Sequence, residues 1–421
     1  MASLQEAVIK GLASDKGLYM PERIQVLPDT FFDNIAGMSF HEIAYTVAQA
    51  FFGEDIEPEI LRNIVTETLH FDTPVVEVHH PIYALELFHG PTLAFKDVGA
   101  RFMARLLGYF IKKQGLTNIN VLVATSGDTG SAVANGFLGV EGIHVYVLYP
   151  KGKVSAIQEC QFTTLGQNIT ALEIDGTFDD CQALVKTAFL DKELNEKMKL
   201  TSANSINVAR FLPQAFYYFN AYAQLRRQNK EKNTVVCVPS GNFGNLTAGL
   251  IAKKMGLPIK RFIAANNSND IFLQYLLTGF YNLKPSVQTL ANAMDVGDPS
   301  NFVRILDLYH HNHPNITQVI SGFSCSDKSI SETIKTCYQS TGYLLDPHGA
   351  CGYLALLKNL QSNETGVFLE TAHPAKFKET IESILLKTIE IPDKLAEFMK
   401  GTKQSIELSK DFQELKEYLM Q

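Results

Sequence analysis

The sequence predicts an α/β protein built from two open parallel-sheet domains with helices on both faces, preceded by a helical N-terminal segment. Three observations predict this. The 421 residues are too many for one ordinary hydrophobic core, so two domains are expected. From about residue 73, short β-branched runs alternate with helical stretches, the texture of βαβ units. Those runs are apolar throughout rather than alternating, as strands buried on both faces must be.

Each element can be read in turn. Residues 1–72 are mostly helical, with Ile43, Val47 and Phe51 on one face and Ile60, Ile64 and Leu69 following. Pro58 and Pro74 punctuate the region. Then come strand Val121–Val123, a helix over Ser131–Leu138, strand Val145–Leu148, strand Ile169–Ile174 and a helix over Cys181–Leu190. A helix near Phe211–Leu225 leads to strand Val235–Val238 and a helix over Leu246–Met255. The charged, amphipathic tail Asp393–Gln421 reads as a surface helix pair. No internal repeat and no low-complexity linker interrupts the pattern.

Composition narrows the function. Hydrophobic residues are 46% and charged residues 19%, the balance of a globular protein. A net charge of −7 argues against nucleic acid as a partner, since phosphate binding needs a basic face. No apolar run reaches membrane-spanning length. The start, MASLQEAVIKGLASDKG, lacks the basic and apolar regions of a secretory signal, so the cytoplasm is the expected location. Six scattered cysteines without a C-x-x-C pair read as reduced buried thiols, not as a disulfide framework or zinc site.

Two strand-to-helix turns stand out. Thr125–Ser131 (TSGDTGS) follows VLVA, and Pro239–Asn245 (PSGNFGN) follows VVCV. Glycine lets the backbone approach a ligand, and the helix that follows presents free N–H groups and a partial positive charge to an anion. Taken singly, each is ordinary loop chemistry, because Ser, Asp and Asn are common caps. As a pair, dense in Ser, Thr and Asn, they are read as two anion sites. Neither is a Walker A loop or a dinucleotide G-x-G-x-x-G. A third feature is Lys96, delivered by a Gly90-Pro91 turn and a small apolar stretch. Most lysines are solvated surface groups, but one desolvated by Leu93 and Phe95 could act as an amine nucleophile. His310, His311 and His313 lie in a polar loop without a suitably spaced carboxylate, and His79-His80 would point to opposite faces of a strand. No metal site is expected, and no G-x-S-x-G elbow occurs.

In the order of its motifs, the chain resembles the threonine synthase family, in its bacterial and fungal branch. The shared blocks are ELFHGPTLAFK (Glu86–Lys96), ATSGDTG (Ala124–Gly130), YPKGKV (Tyr149–Val154), SANSINVAR (Ser202–Arg210), PSGNFGN (Pro239–Asn245), ANAMDV (Ala291–Val296), DPHG (Asp346–Gly349) and ETAHPAKF (Glu370–Phe377). They span roughly residues 80–380, and ELFHGPTLAFK and AHPAKF are the most specific. The chain starts almost at the helix Leu4–Leu12, where relatives carry a further short segment.

The resemblance implies a fold type II pyridoxal-phosphate enzyme. It implies that Lys96 carries pyridoxal 5'-phosphate as a Schiff base and later moves protons, and that the amides of Gly241, Asn242, Phe243, Gly244 and Asn245 cradle the cofactor phosphate. Thr371 would hydrogen-bond the pyridine nitrogen and leave it largely unprotonated. Ser126, Gly127, Asp128 and Thr129 match the loop that grips the substrate carboxylate, with Asp128, where many relatives on this fold carry asparagine, near the cofactor ring hydroxyl. The implied substrate is the small molecule O-phospho-L-homoserine. Its phosphate needs cations and polar donors, and Lys153, Asn204, Ser205, Asn207 and Arg210 are the matching positions. The implied reaction is γ-elimination of phosphate and β-addition of water to give L-threonine, with no nucleic-acid or membrane partner and a monomeric or homodimeric state. The domain reading places an N-terminal helical segment at 1–72, a large cofactor domain at 73–122 and 229–421, and a small substrate domain at 123–228, with the site expected between them. Two alternatives stay open: a phospho-lyase on the same scaffold that releases a keto acid, and a non-catalytic binding protein that has kept the fold. A serine or threonine dehydratase fits less well, because YPKGKV and SANSINVAR suit a phosphorylated substrate.

Overall fold

The computed structural model describes residues 1–13, 15, 17–116 and 118–421. Among them run eleven strands: β1 (Val75–His79), β2 (Ile82–Glu86), β3 (Ile119–Ala124), β4 (Ile143–Pro150), β5 (Ile169–Asp175), β6 (Lys199–Ser202), β7 (Thr234–Pro239), β8 (Arg261–Asn266), β9 (Ile320–Ser324), β10 (Thr365–Glu370) and β11 (Ile406–Ser409). The chain forms two compact units. One comprises Met1–Tyr19, Pro91–Arg210 and Ile391–Gln421, and the other Met20–Gly90 and Phe211–Glu390.

The first unit is a five-stranded sheet in the order β11-β5-β4-β3-β6, every pair parallel. All six residues of β3 are buried, as the continuous apolar run requires. The helix Lys96–Gln114 packs on the helix Asp128–Phe137, which in turn packs on β3 and β4, and the helix Phe178–Leu190 covers the same two strands. A capping box of Thr177 with Asp180 starts that last helix, and Gly115 in the left-handed region stops the helix that Lys96 begins.

The tail differs from the expected helix pair. Helices Asp393–Met399 and Phe412–Leu419 form, but Ile406–Ser409 between them is β11, an edge strand registered on β5 from Ile406↔Leu172 to Ser409↔Asp175. Leu408, Leu415 and Leu419 join Leu122, Leu148, Leu172 and Leu184 in one core cluster. A four-residue strand has no periodicity of its own. It exists because β5 offers an unpaired edge.

The second unit is a six-stranded sheet, β1-β2-β10-β7-β8-β9. It is parallel except for the antiparallel β1–β2 hairpin at one edge. Its N-terminal part is helical as expected, with helices Asp29–Asn34, Phe40–Phe52 and Pro58–Thr68. A Ser39–Glu42 capping box opens the second of these. In it Ile43 and Val47 are fully buried and Phe51 is half-buried. The helix Pro347–Asn359 lies on β10 and β7. Its residues Ala350, Cys351, Tyr353 and Leu356 share a core cluster with Phe368 and Val235.

Candidate functional site

In the first unit, the turn before Lys96 is built by Asp97. Its carboxylate accepts the Thr92 N–H at 2.9 Å and the Thr92 hydroxyl at 2.5 Å, while Leu93 takes a positive φ of 55°. That closed turn places Lys96 as the first residue of its helix, half-buried, with Nζ 5.6 Å from the Phe95 ring centroid. Gln161 pins the same turn from outside by donating to the Thr92 carbonyl at 3.1 Å.

The Ser126–Thr129 turn follows β3. Thr125 organises it. Its hydroxyl oxygen accepts the N–H groups of Gly127 (2.9 Å) and Gly130 (2.7 Å) and donates to the Gly127 carbonyl (3.0 Å). Gly127 has φ 138°, and a Cβ there would fall 2.6 Å from the Gln158 side chain, so the position requires glycine. Asp128 is buried and accepts a hydrogen bond from Gln158 Nε2 at 2.9 Å. Ser126 and Thr129 are half-buried, and their hydroxyls find no hydrogen-bond partner among the described residues.

The SANSINVAR block sorts its members. Asn204 spans the end of β3, donating to the Ala124 carbonyl at 3.0 Å. Asn207 is fully buried and donates to the carbonyls of Val8 and Ser202. Arg210 is buried, and its guanidinium donates to the carbonyls of Ala203 (2.7 Å) and Lys96 (3.0 Å). A Cβ on Gly99 would fall 2.3 Å from the Arg210 carbonyl, so the lysine helix and this segment are tightly apposed. Ser205 is half-buried and Lys153 exposed.

In the second unit, β7 runs into Pro239–Asn245 and the helix Gly244–Lys254, with Phe243 in the left-handed region at φ 61°. Phe243 is held against Phe272, ring centroids 4.5 Å apart. Asn245 donates to the Pro239 carbonyl at 2.8 Å and accepts the Leu246 N–H at 2.9 Å. The Asn242 carbonyl accepts from Asn301 N–H and Nδ2. The backbone amides of Gly241, Asn242, Phe243, Gly244 and Asn245 have no acceptor among the described residues. A Cβ on Gly241 would fall 2.7 Å from the Ala293 carbonyl. Five successive amides without an acceptor, running into a helix N-terminus, are the arrangement an anion fills. They fit a cofactor phosphate.

Thr371, at the end of β10, is buried, and its hydroxyl makes no hydrogen bond among the described residues. Glu370 beside it is fully buried. Its Oε1 accepts the Asp346 N–H at 2.6 Å, and its Oε2 has no partner. Burial, with Asp346 and Glu86 nearby, pushes its pKa well above the ordinary carboxylate value. A Cβ on Gly349 would fall 1.6 Å from that Oε2. His373 is pushed down to about 4 by burial and then by His89. Glu86 accepts from the Tyr343 hydroxyl at 2.9 Å and pairs with His89 at 2.8 Å.

Gln158, beside Asp128 in the first unit, is announced by no local pattern, and Glu370 and His348 in the second unit lie in the ETAHPAKF and DPHG blocks without a role having been read for them. Gln158 lies 30 residues beyond Asp128, and only the packing of helix Ala156–Thr163 brings it there. His313, from the histidine group set aside, turns its ring to the carbonyls of Tyr275 and Leu276. No group of potential metal ligands occurs among the described residues, the six cysteines are free thiols, and no helix of the described residues is long and apolar enough to cross a membrane.

Three family descriptions match the chain: pyridoxal-phosphate dependent enzyme over residues 65–370, threonine synthase N terminus over 1–69, and threonine synthase, C-terminal, over 349–419. The threonine synthase of Haemophilus influenzae is 47% identical over 418 residues, covering 99% of this chain and 96% of the relative. Among solved structures, threonine synthase from Escherichia coli superposes with a TM-score of 0.94 at 44% identity, covering 100% of this chain and 96% of that one. The PLP-bound threonine synthase from Brucella melitensis gives 0.91 at 33% identity, covering 99% and 96%.

Proposed function

The chain belongs to the threonine synthase family and has its pyridoxal-phosphate-dependent lyase activity, and we propose that it converts O-phospho-L-homoserine and water to L-threonine and phosphate, with Lys96 as the catalytic amine. The observation that supports this reading most is the run of five acceptor-free amides at Gly241–Asn245, together with a half-buried lysine at the start of a helix.

When bound, pyridoxal phosphate supplies an electron sink for a carbanion at the substrate α carbon. Everything else falls to this chain's residues. Gly241–Asn245 would hold the cofactor phosphate through backbone N–H groups, which need no side-chain ordering. Thr371 would offer its hydroxyl to the pyridine nitrogen. A hydroxyl partner, unlike a carboxylate, leaves that nitrogen largely unprotonated. Lys96 would hold the cofactor through its amine and, once displaced by the substrate amine, take the α proton and later return one. One amine serving several transfers needs a pKa near the working pH.

The hydroxyls of Ser126 and Thr129 and the N-terminus of helix Asp128–Phe137 would bind the substrate carboxylate. Asp128 would sit by the cofactor ring hydroxyl, with Gln158 holding its carboxylate in place by the bond at 2.9 Å. For the substrate phosphate, exposed Lys153 and half-buried Ser205 would offer their side chains, whereas the Asn204 amide already bonds the carbonyl and N–H of Ala124. Asn207 and Arg210 bond backbone carbonyls, so their contribution would be to seat this segment against the lysine helix.

The test is to incubate the purified protein with O-phospho-L-homoserine and assay phosphate and organic product together. Equimolar phosphate and threonine are expected. Phosphate with a keto acid would move the activity to a phospho-lyase, and no phosphate would overturn the substrate. Lys96→Ala is expected to abolish both the bound-cofactor absorbance and turnover; an active variant would end the assignment of the amine.

A further inference from the structure

At the start of the helix Pro347–Asn359 lies a buried acid–imidazole pair that the chemistry above does not use. Asp346 is fully buried and His348 nearly so. Their side chains meet at 2.6 Å, His348 Nδ1 to Asp346 Oδ1. The other ring nitrogen, Nε2, faces the Ala293 N–H at 3.2 Å. A backbone N–H can only donate, so Nε2 is the acceptor, and Nδ1 carries the proton that Asp346 receives.

Each member of the pair grips a different segment, Asp346 the one that carries Thr371 and His348 the turn that abuts Gly241. Asp346 Oδ2 accepts the N–H of Ala372 at 3.3 Å, and the Asp346 N–H donates to Glu370 Oε1 at 2.6 Å. Thr371 is therefore flanked on both sides by bonds to one aspartate. At the other end His348 holds Ala293. The Ala293 carbonyl presses on Gly241, 2.7 Å from where a Cβ would stand, and Met294 Cα lies at 3.0 Å from the same point. A helix cap accounts for Asp346 accepting the N–H groups of His348 and Gly349. It does not account for an imidazole whose far nitrogen reaches a loop 55 residues away in sequence.

We propose that His348 and Asp346 are positioning residues that set the separation between the phosphate cradle at Gly241–Asn245 and the hydroxyl of Thr371, and thereby the affinity and seat of the pyridoxal phosphate. This rests on the cradle reading above. The two bonds of the imidazole can be removed one at a time. A glutamine at 348 places its oxygen where Nε2 accepts from Ala293 and gives up the Asp346 bond. An asparagine places its amide where Nδ1 donates to Asp346 and gives up the Ala293 bond.

The experiment is titration of the apoprotein with pyridoxal phosphate for wild type, His348→Gln, His348→Asn, His348→Ala and, as the control on the cradle, Gly241→Ala. Affinity is read from the cofactor's absorbance and fluorescence, the seat of the phosphate from its ³¹P resonance, and folding from Tm. His348→Asn and His348→Ala are expected to weaken binding about tenfold, the scale of one lost buried hydrogen bond, and to move the ³¹P resonance. His348→Gln is expected to stay close to wild type in both. Gly241→Ala must weaken binding for the cradle reading to stand. Weakened binding in Gly241→Ala with wild-type affinity in His348→Asn overturns the positioning role alone. So does equal behaviour of the glutamine and asparagine variants, or a lowered Tm with no change in affinity. Should His348→Ala fail to fold, the comparison of Gln with Asn decides.

Discussion

Glu370 illustrates how one buried side chain makes stability depend on pH. Its pKa is raised by burial first and by Asp346 and Glu86 after it, so the folded protein keeps a proton that the unfolded chain loses. The stability this contributes is complete below about 4.5, the unfolded value, and is lost as pH rises through the folded one. Glu370→Gln has no proton to lose and keeps an oxygen for the Asp346 N–H. We expect its Tm to fall less than wild type's as pH rises above about 4.5, read by thermal melts over a pH series upward from that value. His373 works in the other direction. Its pKa is lowered from 6.5 to about 4, so its stabilising effect is complete above 6.5 and is lost as pH falls toward 4, about 3 kcal/mol in all. His373→Gln is expected to flatten the acid limb of the same stability profile. Neither residue has a sequence signature beyond its motif block. What sets them apart is that β10 ends in the interior.

The strand–turn–helix from Ile119 to Phe137 shows what an element adds. The turn and its glycines were legible because a VLVA run ending in TSGDTG can only be a strand entering a helix through a tight loop. The helix begins at Asp128, three residues before the expected Ser131, because Thr125 ties off the Gly127 and Gly130 amides and lets the first turn start early. The constraint on Gly127 comes from outside the element, from Gln158. Gly127→Ala would combine a strained φ of 138° with a 2.6 Å approach to that side chain. We expect it to raise KM for the amino-acid substrate about tenfold or more, the equivalent of roughly 1.4 kcal/mol, with a smaller effect on kcat and with the protein still folded. Steady-state kinetics on the folded variant would check this, and an unchanged KM would take the carboxylate role away from the turn.

For the whole molecule, each unit is assembled from segments far apart in the chain. The unit that carries Lys96 is completed by residues 391–421. These supply β11, the buried Leu395, Leu408, Leu415 and Leu419, and Lys403, which pairs with Glu159 at 2.7 Å and Glu173 at 2.8 Å. Glu159 sits on the same helix as Gln158 and Gln161, the residues that hold Asp128 and the Thr92 turn. Removal of everything after Glu390 forfeits about 1.5–3 kcal/mol for each buried leucine and exposes the edge of β5. We expect a chain ending there to lose most of its cooperative unfolding transition and its turnover. Calorimetry would decide it, and a truncated chain melting at the wild-type temperature would refute it.

The sequence by itself determined the alternation of strands and helices, the two glycine-rich strand-to-helix turns and the single lysine that follows the Gly90-Pro91 turn. Each of these is written in a local period or a local turn, and local chemistry is enough to specify it. Its motif blocks also carried the resemblance to the family. The tertiary structure alone decided three other matters. It turned the tail's central residues into a strand, because a free sheet edge was there to pair with. It assigned Asn207 and Arg210 to backbone carbonyls rather than leaving their side chains open, because burial obliges a polar group to find a partner. And it brought Gln158 to Asp128 and His348 to Ala293, because such contacts are made by the packing of elements tens of residues apart, which no window on the sequence can contain.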